Sequence, residues 1–595
     1  MCGFLGKVSK NSIEPTKLID SNKYITCRGP DSRVIEESNY LGINYFLIFN
    51  RLSILDLSET ANQPMFSTET QNILMFNGEI YNHKELRKNL IKKGSKFFTS
   101  HSDTEVILNG LDLEGIKFIN KLRGQFSIFY FDKINMEFYL IRDRLGQKPL
   151  YYSLENNVLN FSSNLKSIIS NTKNLNISSK SLDEYLRYGA ISSPNTLFQN
   201  IFKVEPSTIL KFEILNNEIN FTKTKYWDIC DSVSNKQFNS DEFLEIIKDA
   251  INIRYEADVP VASFLSGGID STLITKILSE KHKVNTFSVA VQNKKYDESR
   301  WSQLVSKKYN SNHSETTISS NFSTLQITDC LNSLDEPYAD PSVIPSFIIS
   351  KEISNHYKVA ISGDGGDELL GGYQRTNLTL KNSKINENFI NLLYYFYPAF
   401  LGSGSKILMY SKNKNVSYRS TLSDEKFLNL LNIESNDVSK NVNIDMDFGL
   451  YKAMLICDYK FYLPDQMLYK VDRTSMANSL EVRSPFVDHL LIEYIMSHTT
   501  PYLNAKIQKS IFKNYLIEDF DKDFINRKKQ GFVFDIENWV YKNFNTIEES
   551  YKYGKVSSYL DIKNINKLNN FKSRINSHRI WKLFVLEHYL NSLKN

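Results

Sequence analysis

Up to about residue 205 the apolar positions fall in short runs separated by turn residues: Tyr45 to Phe49, Ile73 to Phe76, Phe126 to Phe131, Phe138 to Ile141 and Val158 to Phe161. Such runs predict strands. Helical spacing is clear only at Asn82 to Lys93 and Asp103 to Glu114, so residues 2–205 are expected to form a sheet-rich domain. From about residue 240 strand and helix candidates alternate. Val259 to Leu265 precedes a helix from Ser271, Val284 to Val291 one from Glu298, and Lys358 to Ser362 one near Asp367. Alternation of this kind predicts a parallel sheet flanked by helices over residues 241–595. Residues 206–240, polar from Asn216 to Asn239, read as the linker, and no internal repeat is found.

Composition narrows the class. Of 595 residues, 41% are hydrophobic and 23% charged, which excludes wholesale disorder. Lys plus Arg exceed Asp plus Glu by 72 − 67 = 5, spread along the chain, so the electrostatic footprint of a nucleic-acid protein is missing. Cys2, Cys27, Cys230, Cys330 and Cys457 form no C-x-x-C pair, which suits reduced thiols in a cytoplasmic protein. Polar Lys7, Ser9 and Lys10 arrive too early for a signal peptide. Phe389 to Leu401, the most apolar stretch, is interrupted by Asn391 and Pro398 and falls short of the ~20 residues a spanning helix needs. No membrane association is expected.

The chemistry begins at the amino terminus. Removal of Met1 would leave Cys2 with a thiol and a free α-amine whose ordinary pKa values, about 8.5 and 7.7–8.0, let the amine act as base for the thiol. Arg28-Gly29-Pro30-Asp31, Arg51-Leu52-Ser53-Ile54, Asn77-Gly78-Glu79-Ile80-Tyr81-Asn82, Ser102-Asp103-Thr104-Glu105 and Arg142-Asp143-Arg144-Leu145-Gly146 follow in order. This ordered set resembles the glutaminase domain of class II, N-terminal-nucleophile amidotransferases. The resemblance implies an αββα sandwich with Cys2 as nucleophile. Arg51 would fork onto the α-carboxylate of glutamine, Asp103 would take its α-ammonium, and Glu79 would help fix it. Asn77 and the Gly78 N–H would hold the oxyanion.

A second constellation follows an apolar strand and opens a helix: Leu265-Ser266-Gly267-Gly268-Ile269-Asp270-Ser271. Backbone N–H groups at a helix N-terminus suit phosphate oxygens, and the loop is neither a Walker A nor a dinucleotide fingerprint. It resembles the S-G-G-x-D-S loop of ATP pyrophosphatases. A second acidic loop, Ser362-Gly363-Asp364-Gly365-Gly366-Asp367-Glu368, follows a later strand, and Asp270 and Asp367 could share Mg²⁺. The stretches V-D-R-T-S-M-A, with Arg473, and S-L-E-V-R-S-P-F, with Arg483, place a cation where phosphate charge develops, although most of the second could equally be a helix cap and packing.

Together these motifs, from Cys2 to about Trp539, resemble the glutamine-hydrolysing asparagine synthetases of the bacterial type. The resemblance implies a parallel-sheet ATP-pyrophosphatase domain with a helical C-terminal part. Its substrates would be glutamine, aspartate and ATP, with a β-aspartyl-AMP intermediate and ammonia carried through an internal tunnel. A homodimer is one assembly open to such a chain. It also puts Leu265 and Val289 at adenine or ribose, Ser266, Gly267, Gly268, Ser271, Ser362 and Gly363 at ATP, and Asp364 and Arg473 beside the adenylate. The chain departs from the family pattern at Phe49, Asn164 and Asp364. A relative that amidates another carboxylate, such as a uronic acid, would carry the same motifs. The segment 376–442 has no readable motif.

Overall fold

The computed structural model describes residues 2–216, 218–291, 297–318, 322–382, 387–401, 422–433, 448–499, 509–527 and 534–593. The N-terminal half contributes strands β1 (Gly3–Ser9), β2 (Ser32–Tyr40), β3 (Ile43–Arg51), β4 (Met65–Phe66), β5 (Ile73–Ile80) and β6 (Gly124–Asp132). It continues with β7 (Glu137–Arg142), β8 (Tyr151–Glu155), β9 (Val158–Ser162), β10 (Phe202–Lys203), β11 (Thr208–Leu215) and β12 (Glu218–Lys225). Among the described residues these pair into two six-stranded antiparallel sheets, ordered β10-β8-β9-β1-β3-β2 and β12-β11-β7-β6-β5-β4.

β3 shows why the sheets stack. Tyr45, Leu47 and Phe49 point to one face and pack with Phe4, Phe129 and Phe138 of both sheets, while Phe46 and Ile48 point to the other and pack under the helix Pro15–Ser21. Both faces of the strand are covered, so its sequence is nearly continuous in apolar residues. Phe129 and Phe161, from opposite sheets, stack at 4.3 Å. The helices His83–Lys92 and Asp103–Glu114 cover the outside of the second sheet, giving the four-layer αββα sandwich.

One expectation is corrected here. Residues 208–225, read as part of the linker, form β11 and β12, which extend the second sheet through eight register pairs. Polar Lys223 and Lys225 suit an exposed edge strand, and their polarity hid it. The connection proper follows β12 and is itself docked: the Trp227 indole N–H donates to Glu493 at 2.7 Å, and Lys236–Gln237 (β13) pairs with His498–Thr499.

Among the described residues the C-terminal half is built on a five-stranded parallel sheet of β14 (Val261–Phe264), β15 (Asn285–Val291), β16 (Asn312–Ile318), β17 (Val359–Ile361) and β18 (Glu481–Arg483), ordered β16-β15-β14-β17-β18. Val261, Val359 and Ile361 meet the helices Ser240–Ile253 and Ile269–Ser279 on one face. Ala262, Ala360 and Val482 face a second core that extends to Trp581 and Leu586 of the C-terminal helix Arg574–Ser592. Of the segment 376–442, residues 383–386, 402–421 and 434–442 lie outside the described residues. Among the described residues no helix is long and apolar enough to cross a membrane.

The halves meet through buried charge. Arg28 is buried: its Nη1 and Nη2 fork onto Asp472 at 2.8 and 3.0 Å, and its Nε donates to the Cys2 carbonyl at 3.2 Å. Arg473 continues the chain, to Asp472 at 2.7 Å, Asp335 at 2.8 Å and the Tyr151 hydroxyl at 2.6 Å. Asp488 joins Arg123 of the sandwich at 2.9 Å to Arg254 at 2.7 Å. Burial alone would raise the Asp472 and Asp488 carboxyls, but Arg28 and Arg473 outweigh it at the first, Arg254 and Arg123 at the second, holding both well below the usual carboxylate range.

Asp472→Ala leaves Arg28 buried with its charge unpaired and should destabilise the chain by about 3–5 kcal/mol, read as a lower thermal midpoint. Because both aspartates have depressed folded pKa values, their contribution is present above the ordinary carboxylate pKa of about 3.9 and is lost as pH falls toward the folded values. The midpoint of the parent should therefore drop on acidification more steeply than that of Asp472→Ala, a comparison open to calorimetry between pH 6 and 3.

Candidate active sites

The first cluster is organised by the ends of β1, β3 and β5. Cys2 precedes β1 and is buried, and its backbone N lies 3.1 Å from Asn77 Oδ1. Asn77 Nδ2 reaches Ser127 Oγ at 3.3 Å. The Phe76 N–H donates to Gln63 at 2.6 Å and the Ile80 N–H to Asp103 at 3.0 Å, both away from β6. Gly78 lies two residues from each, so strand alternation turns its N–H to that same open side, where an oxyanion donor has to point. A Cβ on Gly78 would sit 2.0 Å from the Gln125 carbonyl, so only glycine lets β5 and β6 close here.

Glu79 and Asp103 lie beside this strand end, both buried. Burial lifts the Glu79 carboxyl well above the ordinary range, Arg483 opposes the lift, and Asp103 and Glu481 add to it. Asp103 is raised by burial as well, with His83 opposing. The Cys2 thiol is pushed up by burial, against the lowering influence of Arg51. Arg51 is differently engaged from what the sequence suggests: Nη1 donates to Ser58 O at 2.8 Å and Asn62 Oδ1 at 2.9 Å, and Nη2 to the Asp56 carbonyl. Its guanidinium braces the loop 55–62 and would have to exchange one of these partners to fork onto a carboxylate. Asp258 of the C-terminal half holds the same loop, accepting from the Asp56 N–H at 2.7 Å and contacting His101 Nε2 at 2.6 Å.

The departure at Phe49 has a packing explanation, since the ring fills the space between the two sheets. Asn164 caps the helix Leu165–Ile169, accepting from the Lys166 N–H at 2.9 Å. Arg142 and Asp143 are internal braces: Arg142 donates to the carbonyls of Lys148, Val204 and Gly146, each at 2.8 Å, while Asp143 accepts N–H groups from Phe126, Leu145, Gln147 and Lys148.

The second cluster lies where β14 and β17 deliver two loops side by side. Gly267 has φ +68°, and a Cβ there would meet Trp301 at 2.6 Å, so the loop needs glycine at that point. Ser266 Oγ accepts from the Gly268 N–H at 3.2 Å and lies 3.2 Å from Ser271 Oγ, which closes the loop over the first turn of the helix Ile269–Ser279. Gly363 and Gly366 let the second loop approach: a Cβ on either would come within 3.0 Å of Asp270. Leu265 packs its side chain among Val305, Leu516 and Phe524, and Val289 belongs to the core below the sheet, so only their backbones could line a nucleotide. Ser362 Oγ is 3.0 Å from Ser484 Oγ, and Asp364 is half-buried.

Asp270 and Asp367 do converge, and a residue that carried no sequence signal joins them. Lys509 Nζ lies 2.5 Å from Asp270 Oδ2 and 2.7 Å from Asp367 Oδ1. Lys509 has no motif around it and follows a segment, 501–508, outside the described residues. Asp270 Oδ1 is buried without a hydrogen-bond partner. Two facing carboxylates, one with an unused oxygen, fit a magnesium ion, which takes one or two carboxylates and completes its shell with phosphate oxygens and water. Among the described residues no cluster of three or more metal-ligating side chains competes with this pair. Arg527 adds a cation at the loop, donating to the Gly267 carbonyl at 2.5 Å.

Arg473 and Arg483 do not lie free at this loop. Arg473 is committed to the interface network described above, and the Arg483 guanidinium points to Glu79. β18 runs along the sheet edge with Glu481 and Arg483 on the side of the sandwich and Val482 on the core side, and that alternation could not be read from the motif without knowing which face was which. Lys148 is a further residue without a sequence signal: buried, its amine is pulled down to about 8 by desolvation, with Asp472 and Glu481 opposing.

A cysteine at the edge of an αββα sandwich, tied to a parallel sheet whose strand ends carry paired glycine-rich acidic loops, defines a two-part amidotransferase. The family model described as glutamine amidotransferase domain matches residues 1–227, and that described as asparagine synthase matches residues 242–590. The chain belongs to the asparagine synthase family, whose members are carbon–nitrogen ligases. It is 30% identical over 632 aligned residues to asparagine synthetase (glutamine-hydrolyzing) 1 of Bacillus subtilis, with 99% of this chain and 97% of that protein covered. To putative asparagine synthetase (glutamine-hydrolyzing) 2 of Methanocaldococcus jannaschii it is 32% identical over 522 residues, covering 80% of this chain and 98% of that protein.

Lys509→Met should remove the cation that Asp270 and Asp367 share. Added Mg²⁺ is then expected to raise the thermal midpoint of the variant more than that of the parent, because it relieves a repulsion that Lys509 otherwise relieves. Equal shifts would show that the pair does not take the metal.

Proposed function

We propose that this chain makes asparagine from aspartate, glutamine and ATP in two half-reactions at the two clusters. Family membership and the names of the relatives support the overall activity. The observation that carries the division of labour is the pairing of Cys2 with Asn77 in one fold unit and of Asp270 with Asp367 in the other. The family matches and the course of β12 favour a glutaminase half running to about Lys225.

In the first half-reaction Met1 is removed and the Cys2 thiol attacks the carboxamide carbon of glutamine. Burial keeps the thiolate scarce, so the freed α-amine takes the thiol proton. Negative charge moves to the amide oxygen, where Asn77 and the Gly78 N–H meet it. Arg51 takes the α-carboxylate in exchange for a loop carbonyl, and Asp103 and Glu79 take the α-ammonium. Ammonia leaves as the thioester forms, and water then releases glutamate.

In the second, the phosphates of ATP lie over Ser266, Gly267, Gly268 and Ser271 at the helix N-terminus, with Ser362 and Gly363 beside the nucleotide and the backbones of Leu265 and Val289 along its base and ribose. The β-carboxylate of aspartate attacks the α-phosphorus, pyrophosphate departs, and ammonia displaces AMP from the acyl carbon. Asp270 and Asp367 would hold Mg²⁺, which supplies neutralisation of the pyrophosphate charge when bound. Asp364 flanks the adenylate, and Arg473 could do so only by releasing an interface partner. Ammonia must pass between the halves unprotonated, through the interface that Arg28 and Asp472 hold closed.

Cys2→Ala should abolish glutamine-dependent synthesis and leave ammonia-dependent synthesis largely intact; equal loss of both would refute the two-site reading. Asp270→Asn should lower pyrophosphate release by orders of magnitude, in line with a few kcal/mol of lost electrostatic stabilisation, while glutamine hydrolysis persists. Aspartate labelled with ¹⁸O in its β-carboxylate should pass label to AMP. Unlabelled AMP would mean that another carboxylate is activated.

A further inference from the structure

The S-L-E-V-R-S segment faces both clusters at once. Arg483, fully buried on β18, donates from Nη1 to the carbonyls of Arg254 and Glu256 at 3.0 and 2.6 Å and from Nε to Glu481 Oε1 at 2.6 Å. These three bonds fix the plane of the guanidinium. Its remaining nitrogen, Nη2, lies 3.0 Å from Glu79 Oε2, across the boundary between the two halves, with less than a tenth of either side chain exposed. Glu481, two residues earlier on the same face, is close enough to Cys2 for its charge to bear on the thiol. Neither residue can reach a nucleotide loop from this face; on the opposite side of the strand end, the Ser484 hydroxyl meets Ser362.

We propose that Arg483 is a positioning residue of the glutaminase half-reaction, supplied by the synthetase half: its fixed guanidinium, 3.0 Å from Oε2, orients Glu79 for the α-ammonium of glutamine and favours its charged form. The inference rests on the glutaminase reading given above. Glutamine carries its own positive charge into a pocket that already holds Glu79, Asp103 and Glu481, and such a cluster of buried carboxylates would otherwise take up protons. Arg483, 3.0 Å from Glu79 Oε2, opposes this. Among the described residues, the charged and titratable side chains that bear on Glu79 include Asp103 from the helix Asp103–Glu114, Glu481 and Arg483 from β18, and the Tyr81 hydroxyl, which burial keeps neutral. Of the side chains among them only Arg483 is a cation, and it belongs to the other half of the protein.

The experiment compares the full-length parent with Arg483→Met and Arg483→Lys. Glutamate release is followed against glutamine concentration from pH 5.5 to 8.5, and pyrophosphate release with ammonia as nitrogen donor is followed on the same samples. Arg483→Met should raise KM for glutamine at least tenfold with a smaller change in kcat, and should move the acidic limb of kcat/KM to higher pH, because Glu79 then holds its proton longer. Arg483→Lys, which keeps the charge, should recover part of both effects. Ammonia-dependent pyrophosphate release should stay within twofold of the parent.

An unchanged KM and pH profile in Arg483→Met, or equal loss of the ammonia-dependent reaction, would overturn the proposal. Should Arg483→Met not fold, Glu79→Gln is measured in the parent and in the Arg483→Lys background. Non-additive effects on KM support the contact, and additive ones overturn it. Absence of glutamine hydrolysis in the parent itself would instead overturn the glutaminase reading on which the inference rests.

Discussion

The forked pair between Arg28 and Asp472 is the constraint on which the relation of the two halves depends. Two charges taken out of water are tolerated only when geometry and further hydrogen bonds compensate for desolvation. Here the fork is bidentate, Asp472 also receives Arg473, and Arg28 spends its Nε on the backbone of Cys2. The Cys2 carbonyl is therefore fixed by a guanidinium whose own position is fixed in the other half. Arg473 passes the restraint to Asp335, and Asp335 receives the Leu165 N–H at 3.1 Å from the sandwich, so the network returns to the unit in which it began.

Parallel topology accounts for the second cluster. β14, β17 and β18 run side by side, so the loops that leave β14 and β17, and Ser484 after β18, emerge at one edge. Brief strands suffice because both sheet faces are covered; Ala262 and Ala360, small and fully buried, bring the layers close enough for the loops to touch at Gly363 and Asp270. Asp270 and Asp367 meet for the same reason, as residues placed at equivalent points beyond neighbouring strands.

Much of this was legible in the sequence. Runs such as Phe126 to Phe131 lie within strands, and both early helices and the alternation after residue 240 stand. Motifs also announced which residues gather, since Cys2 with Asn77 and Asp270 with Asp367 are neighbours in space. What escaped was direction and long-range pairing. β2 alternates in burial along Ser32–Tyr40, yet its polar surface and lack of a strong apolar run concealed it. Arg51, Arg473 and Arg483 were each expected to face a substrate and each proved to have protein acceptors, because a motif specifies a side chain's type and not the face it leaves from. Lys509 and Asp258 have significance only through partners more than a hundred residues away.

The order in which the chain is synthesised gives the Arg28 to Asp472 contact a temporal meaning. Arg28 leaves the ribosome long before its partner, since the carboxylate that closes the setting of Cys2 is 444 residues behind it. At ~5–20 residues per second that interval is about 20–90 s. During it the sandwich can collapse around Phe4, Phe49 and Phe129, but Arg28 has no counter-charge and Glu79 has no Arg483. A chain truncated before residue 472 would stay in that state indefinitely, with its amino end unbraced. Synthesis of the C-terminal half is thus built into the assembly around Cys2, whose carbonyl is held in its final setting only when the domain that carries Asp472 has been made.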